Sequence, residues 1–240
     1  MLIRCCVILN ESLSLRHHTT VTKRERGTEF GVHRFEDLKQ TAMVHAFIIH
    51  TLLPGSSLVL HSSTFRQDPL TSYEIKESGS RWHCVRQAQW QYVADVVHGE
   101  YQFRRTVSGR SLDEDLARAT NIDNGLGLPE LECGVLRLSE HAPYADEKVI
   151  VWYGAGTLAF SLVCDKTENR LIAELILKHI VRYLQEYLLV FSQPSEILNK
   201  ADCIIQILQQ LIPDGLLLFR CQRVMRQLEK ELDSSMKQVD

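Results

Sequence analysis

Two stretches of this chain are apolar on both sides of an extended backbone. Val44–Leu52 reads Val-His-Ala-Phe-Ile-Ile-His-Thr-Leu, and Leu158–Cys164, within the segment Thr157–Asp165, reads Leu-Ala-Phe-Ser-Leu-Val-Cys. Side chains alternate across a strand, so a strand with consecutive apolar residues has to be covered on both faces. Such strands belong in the middle of a sheet with helices on each side. Leu58–Phe65 is more polar and suits an edge strand, joined to the first by the short Gly-containing turn Leu53–Ser57. Cys133–Leu138 and Val149–Tyr153 complete five strands, with Gly154-Ala155-Gly156 turning the chain into the last one.

The helical segments follow a 3.6-residue period. Arg81–Arg105 is expected to be a helix with Trp82, Val85, Tyr92, Val93, Val96 and Val97 as its apolar positions, whereas Gln67–Gly79 and Val107–Glu130 read as loops. Leu171–Phe191 is strongly amphipathic, with Glu174 and Lys178 at a favourable i, i+4 spacing. Pro194-Ser195 ends it and offers Ser195 as the cap of a second helix through Ile212. Pro213-Asp214-Gly215 stops that one, and Val224, Met225, Leu228 and Leu232 line a last helix. The order β-β-α-β-β-β-α-α-α gives an α+β domain over residues 43–240: a five-stranded antiparallel sheet flanked by helices on both faces. Met1–Ala42, with few periodic apolar positions, is expected to be a poorly ordered extension.

Composition narrows the function classes. With 45% apolar and 24% charged residues, the chain is neither wholly disordered, nor collagen, nor a disulfide scaffold. A net charge of -3 provides no global basic field, so direct nucleic-acid binding is not expected. The seven cysteines are odd in number and form no C-x-x-C pair, which reads as reduced thiols in the cytosol. The longest apolar runs are interrupted well before the roughly 20 residues of a membrane span. Met1–Asn10 lacks a signal-peptide cleavage site, and Glu25, Glu29, Glu36 and Asp37 argue against a transit peptide.

No catalytic motif is present: no phosphate-binding Gly-rich loop, no nucleophile elbow and no H-E-x-x-H. The ten histidines stand at no metal-ligand spacing. Catalytic, metal and cofactor-binding residues are therefore expected to be none. Lys23-Arg24-Glu25-Arg26 reads as a solvated tail, the sequon at Asn10 has no secretory route to use it, and Tyr187–Val190 lies inside a helix. The feature in excess is a second apolar stripe on the long helix: Ala173, Leu177, Val181, Leu184, Leu188 and Phe191. Packing on the chain's own next helix explains it. The alternative is a partner protein, and on that reading Leu177, Val181, Leu184 and Phe191 are the interface candidates.

Met43-Val-His-Ala-Phe-Ile-Ile-His opening this order of elements resembles the longin-type small (sigma) subunits of clathrin-adaptor complexes. So does Val149–Asn169, where two strands run through a Gly-containing turn to Asp165 and Asn169 ahead of the long helix. Pro213-Asp-Gly-Leu-Leu-Leu-Phe and Leu228-Glu-Lys-Glu are similar to the sigma subunits of the fifth such complex in particular. The resemblance implies a longin-like fold, no enzymatic activity and no cofactor. It implies large, beta and mu subunits as partners, with spatacsin and spastizin reached through the complex. It further implies membrane contact only through the complex, and a cytoplasmic location, peripheral on late endosomes and lysosomes, in retrieval towards the Golgi. A link to DNA double-strand-break repair and a nuclear pool come by family association only. A different longin-type trafficking scaffold is the alternative. By the same resemblance, the wall of an acidic-dileucine pocket would fall near Leu158, Val181 and Phe191, but the turn Leu53–Ser57 holds no Lys or Arg to meet the acid.

Overall fold

The computed structural model describes residues 44–66, 81–120, 132–139, 143–218 and 222–236. The expected N-terminal extension and the expected loop Gln67–Gly79 lie outside these residues. The strands are β1 (Val44–Thr51), β2 (Val59–Thr64), β3 (Glu132–Leu138), β4 (Lys148–Ala155) and β5 (Leu158–Asp165). They form one antiparallel sheet in the order β2-β1-β5-β4-β3. The two segments that are apolar on both sides, β1 and β5, are paired on both edges and buried on both faces.

The helices divide between the faces. Among the described residues, α1 (Arg81–Val107) packs through Val93, Val97 and Tyr101 on Ile48, Leu52, Ile150, Trp152 and Val163. The opposite face, with Phe47, Ile49, Val151, Phe160 and Leu162, carries α3 (Arg170–Leu188), α4 (Glu196–Asn199) and α5 (Ala201–Leu211). α6 (Gln222–Met236) closes over α5 through Met225 and Leu232, while Val224, expected on the same face, is exposed. A bulge between Val44 and Ala46 reverses the side of Val44, so it joins the α3 side although its parity matches Ala46 and Ile48.

Three expectations are corrected. The segment after α1 contains a helix, α2 (Leu112–Thr120). Its start is a capping box: the Glu114 N–H donates to Ser111 Oγ (3.2 Å) and the Ser111 N–H to Glu114 Oε2 (2.9 Å). The long helix stops at Leu188, because Leu189 turns left-handed (φ 52). The chain then folds back, and the Phe191 N–H donates to Gln185 Oε1 (3.1 Å). The second C-terminal helix breaks at Lys200, whose backbone leaves the helical region, giving α4 and α5. After α5, Pro213–Gly215 forms a single 3-10 turn. Gly215 has φ +80, and a Cβ there would lie 2.8 Å from the Val44 carbonyl oxygen, so the turn can press on the start of β1 only as glycine.

Candidate functional site

Among the described residues, no group of three or more His, Cys, Asp or Glu side chains is placed to hold a metal ion. No described helix is long and apolar enough to cross a membrane. Cys164 and Cys203 are buried free thiols, and burial pushes the Cys164 thiol up, away from the reactive thiolate. A surface hollow of about 460 Å³ is lined by Arg104, Ser108, Arg110, Arg118 and Glu132. Its cations are engaged by the chain itself: Arg104 Nε donates to Glu100 (2.7 Å), and Arg110 is paired with Glu132 and Asp115. The hollow therefore offers little net field to an anion.

Among the described residues, a dense polar constellation lies at one end of the sheet. Asp165 Oδ1 faces His45 Nε2 at 2.6 Å and Lys148 Nζ at 3.3 Å, and Oδ2 accepts from Arg66 Nη1 at 3.4 Å. Lys148 stands directly across the β4–β5 ladder from Asp165 and is fully buried. Burial alone raises the Asp165 carboxyl pKa, but the His45 hydrogen bond and charge and the Lys148 ammonium outweigh it, and the net direction is down. One carboxylate thus ties β1, β4 and β5 to Arg66, two residues past β2. Four residues on, Asn169 caps α3, its Oδ1 accepting from the Leu171 N–H (3.0 Å) and the Ile172 N–H (3.3 Å). The Asp and Asn that mark this segment in the sequence are a strand-end clamp and a helix cap.

The interface candidates of the long helix lie inside. Leu177, Val181 and Leu184 are fully buried in the core formed with the sheet and α5, so in this fold they present no surface to a partner. Phe191 is partly buried and sets its ring edge-on to Phe160, centroids 5.8 Å apart. Leu158 is buried too, so two of the three expected pocket-wall residues are internal packing. Glu174, expected to pair with Lys178, accepts instead from the Tyr153 hydroxyl (3.2 Å).

A family model described as AP-5 complex subunit sigma-1 matches residues 43–233. The chain belongs to this family. It is 32% identical over 199 residues to the AP-5 complex subunit sigma-1 of Homo sapiens, a match covering 80% of this chain and 98% of the human one. The Mus musculus protein of the same description is 30% identical over 152 residues, covering 61% of this chain and 88% of the mouse one.

Within this family match, the C-terminal segment singled out in the sequence does structural work. Glu229 Oε1 accepts from Arg182 Nη2 (2.5 Å) and from the Tyr183 hydroxyl (3.1 Å), and Asp233 from the Tyr187 hydroxyl (2.6 Å), binding α6 to α3. The surface left for a partner lies elsewhere. Large exposed apolar side chains stand on the outer side of α3 (Leu171, Leu175), on α1 (Tyr92, Phe103, Val107) and on the hairpin beside α1 (Leu53, Leu58). Tyr92, one of the expected apolar positions of α1, faces outward. The α1 pattern is loose because apolar residues occupy both sides of that helix, and periodicity alone does not say which side meets the sheet.

Proposed function

We propose that this chain is a non-catalytic small subunit of a heterotetrameric adaptor complex in endosomal, vesicle-mediated protein transport. The observation that carries the reading is the near end-to-end match to a human chain described as an AP-5 complex subunit. The fold is consistent with it. Its interior is packed on both faces of the sheet, and the charged groups at the sheet end satisfy one another rather than converging on an open cleft. The chain assembles with a large, a beta and a mu subunit and meets spatacsin and spastizin through them. It works in the cytoplasm, peripheral on late endosomes and lysosomes, in retrieval towards the Golgi, and touches the membrane only through the complex.

The test is co-expression of the full chain with the other three subunits, followed by purification through a tag on the large subunit. Stoichiometric recovery, together with late-endosomal localisation that is lost when the large subunit is depleted, supports the reading. A chain that stays a free monomer in the presence of all three, or that remains on endosomes without them, overturns it.

A further inference from the structure

One flank of α1 carries a stripe without a charge, in which Tyr92, Gly99, Phe103 and Val107 face solvent while Val85 is partly exposed and Val96 is partly buried against the sheet-side core. Val85, Tyr92, Val96, Gly99, Phe103 and Val107 follow one another at spacings of seven, four, three, four and four. These spacings keep them on one side of a helix over about 33 Å, at roughly 1.5 Å per residue. Tyr92 is 41% exposed, Phe103 65% and Val107 71%. At Gly99, in the middle, a Cβ would meet nothing within 4 Å. The stripe therefore has a hollow with apolar side chains before and after it, the shape into which a side chain of a second helix inserts. Gln91 and His98 hold the β1–β2 hairpin, with its exposed Leu53 and Leu58, against another side of α1.

The borders differ in charge. On one, Glu100 is neutralised by Arg104. On the other, the exposed Asp95 carboxylate takes hydrogen bonds from Ser57 Oγ (2.6 Å) and Gln91 Nε2 (2.9 Å), both neutral donors. A helix lying on this stripe meets an apolar seam and one uncompensated negative charge. The outer side of α3 is a poorer platform, since after Leu171 and Leu175 it continues with Lys178, Arg182 and Glu186.

We propose that the Tyr92–Val107 face of α1 docks an amphipathic helix of another subunit, which places a branched apolar side chain over Gly99 and a Lys or Arg beside Asp95. This deepens the subunit reading above and rests on it. The test co-expresses the full chain with the other three subunits and compares Phe103→Asp, Gly99→Leu and Asp95→Lys with Leu175→Asp on α3 as the control. Each α1 variant is expected to lower recovery of the chain in the complex by about tenfold or more, as central interface residues do, while the control assembles normally. Gly99→Leu is the sharpest variant. Its side chain enters open space and favours the helix, so the isolated chain should melt no lower than wild type while assembly falls. If wild type assembles and the α1 variants do so equally well, or if they alter only self-association of the isolated chain, the assignment of this face is overturned. If wild type itself does not co-purify, the subunit reading fails, and the proposed occupant fails with it.

Discussion

Lys148 and Asp165 face each other across the β4–β5 ladder, ammonium 3.3 Å from carboxylate, with the lysine fully buried. The lysine's position in the core depends on that carboxylate, whereas Asp165 retains His45 and Arg66 if the lysine is removed. Asp165→Asn is therefore expected to cost about 3 kcal/mol, the scale for stripping one partner from a buried pair, and Lys148→Met about 1 kcal/mol or less. Urea unfolding of the two variants ranks them, and the reverse order would refute the clamp. The carboxyl pKa is held below its ordinary 3.8. Its contribution is thus complete above that value and is lost as the pH falls through the lower, folded value.

Two other buried groups act at milder pH. Burial pushes His50 and His61 down from 6.5 to about 4. The unfolded chain takes up those protons first, so the stability they support is complete above the unfolded value and declines as the pH falls towards the folded one. The loss reaches about 3 kcal/mol for each histidine. Urea midpoints measured across this interval should fall steadily for wild type, and His61→Gln should flatten the slope by close to one proton. Parallel curves for the two proteins would show that His61 does not titrate as described.

Trp152 lies over Gly134 of the neighbouring edge strand. A Cβ on Gly134 would come within 2.7–2.9 Å of three indole atoms. The indole is confined on its other flanks by Tyr101, edge-on at 6.3 Å between centroids, and by the Arg104 guanidinium, 5.1 Å from the ring centroid. Gly134→Ala is expected to destabilise the fold by about 1–3 kcal/mol, the range for overpacking a filled core. A melting temperature within a degree of wild type would mean that the ring moves aside freely.

The dileucine question has a direct test. Leu158 and Val181 are buried, and the β1–β2 turn holds no cation for an acidic residue. Loss of one charge-assisted hydrogen bond, about 1.5–3 kcal/mol, corresponds to roughly ten- to a hundredfold in affinity or more. Titration of the purified complex with an acidic dileucine peptide is expected to show no saturable binding to this chain. Saturation that Phe191→Asp abolishes would establish the pocket after all.

The five strands, the helix on each face of the sheet and most of their ends were legible along the chain, because period and turn residues are local properties. The two segments apolar on both sides took central places, and Pro213-Asp-Gly ended α5 as expected. The Ser111-Leu-Asp-Glu114 capping box is equally local, but it stands in a segment whose glycines and acids read as a loop. Other features depend on neighbours distant in sequence. His45, Arg66 and Lys148 converge on Asp165 from separate parts of the sheet end, and no spacing rule connects those positions. The second stripe of α3 and the outer stripe of α1 are both written plainly in the sequence as apolar residues at helical spacing. Their fates differ because the sheet, α5 and α6 close around α3, whereas among the described residues one side of α1 is left facing solvent. Periodicity determines that a helix has an apolar side. Whether the chain covers that side itself or leaves it for a partner is decided by the packing of distant elements, which only the tertiary structure contains.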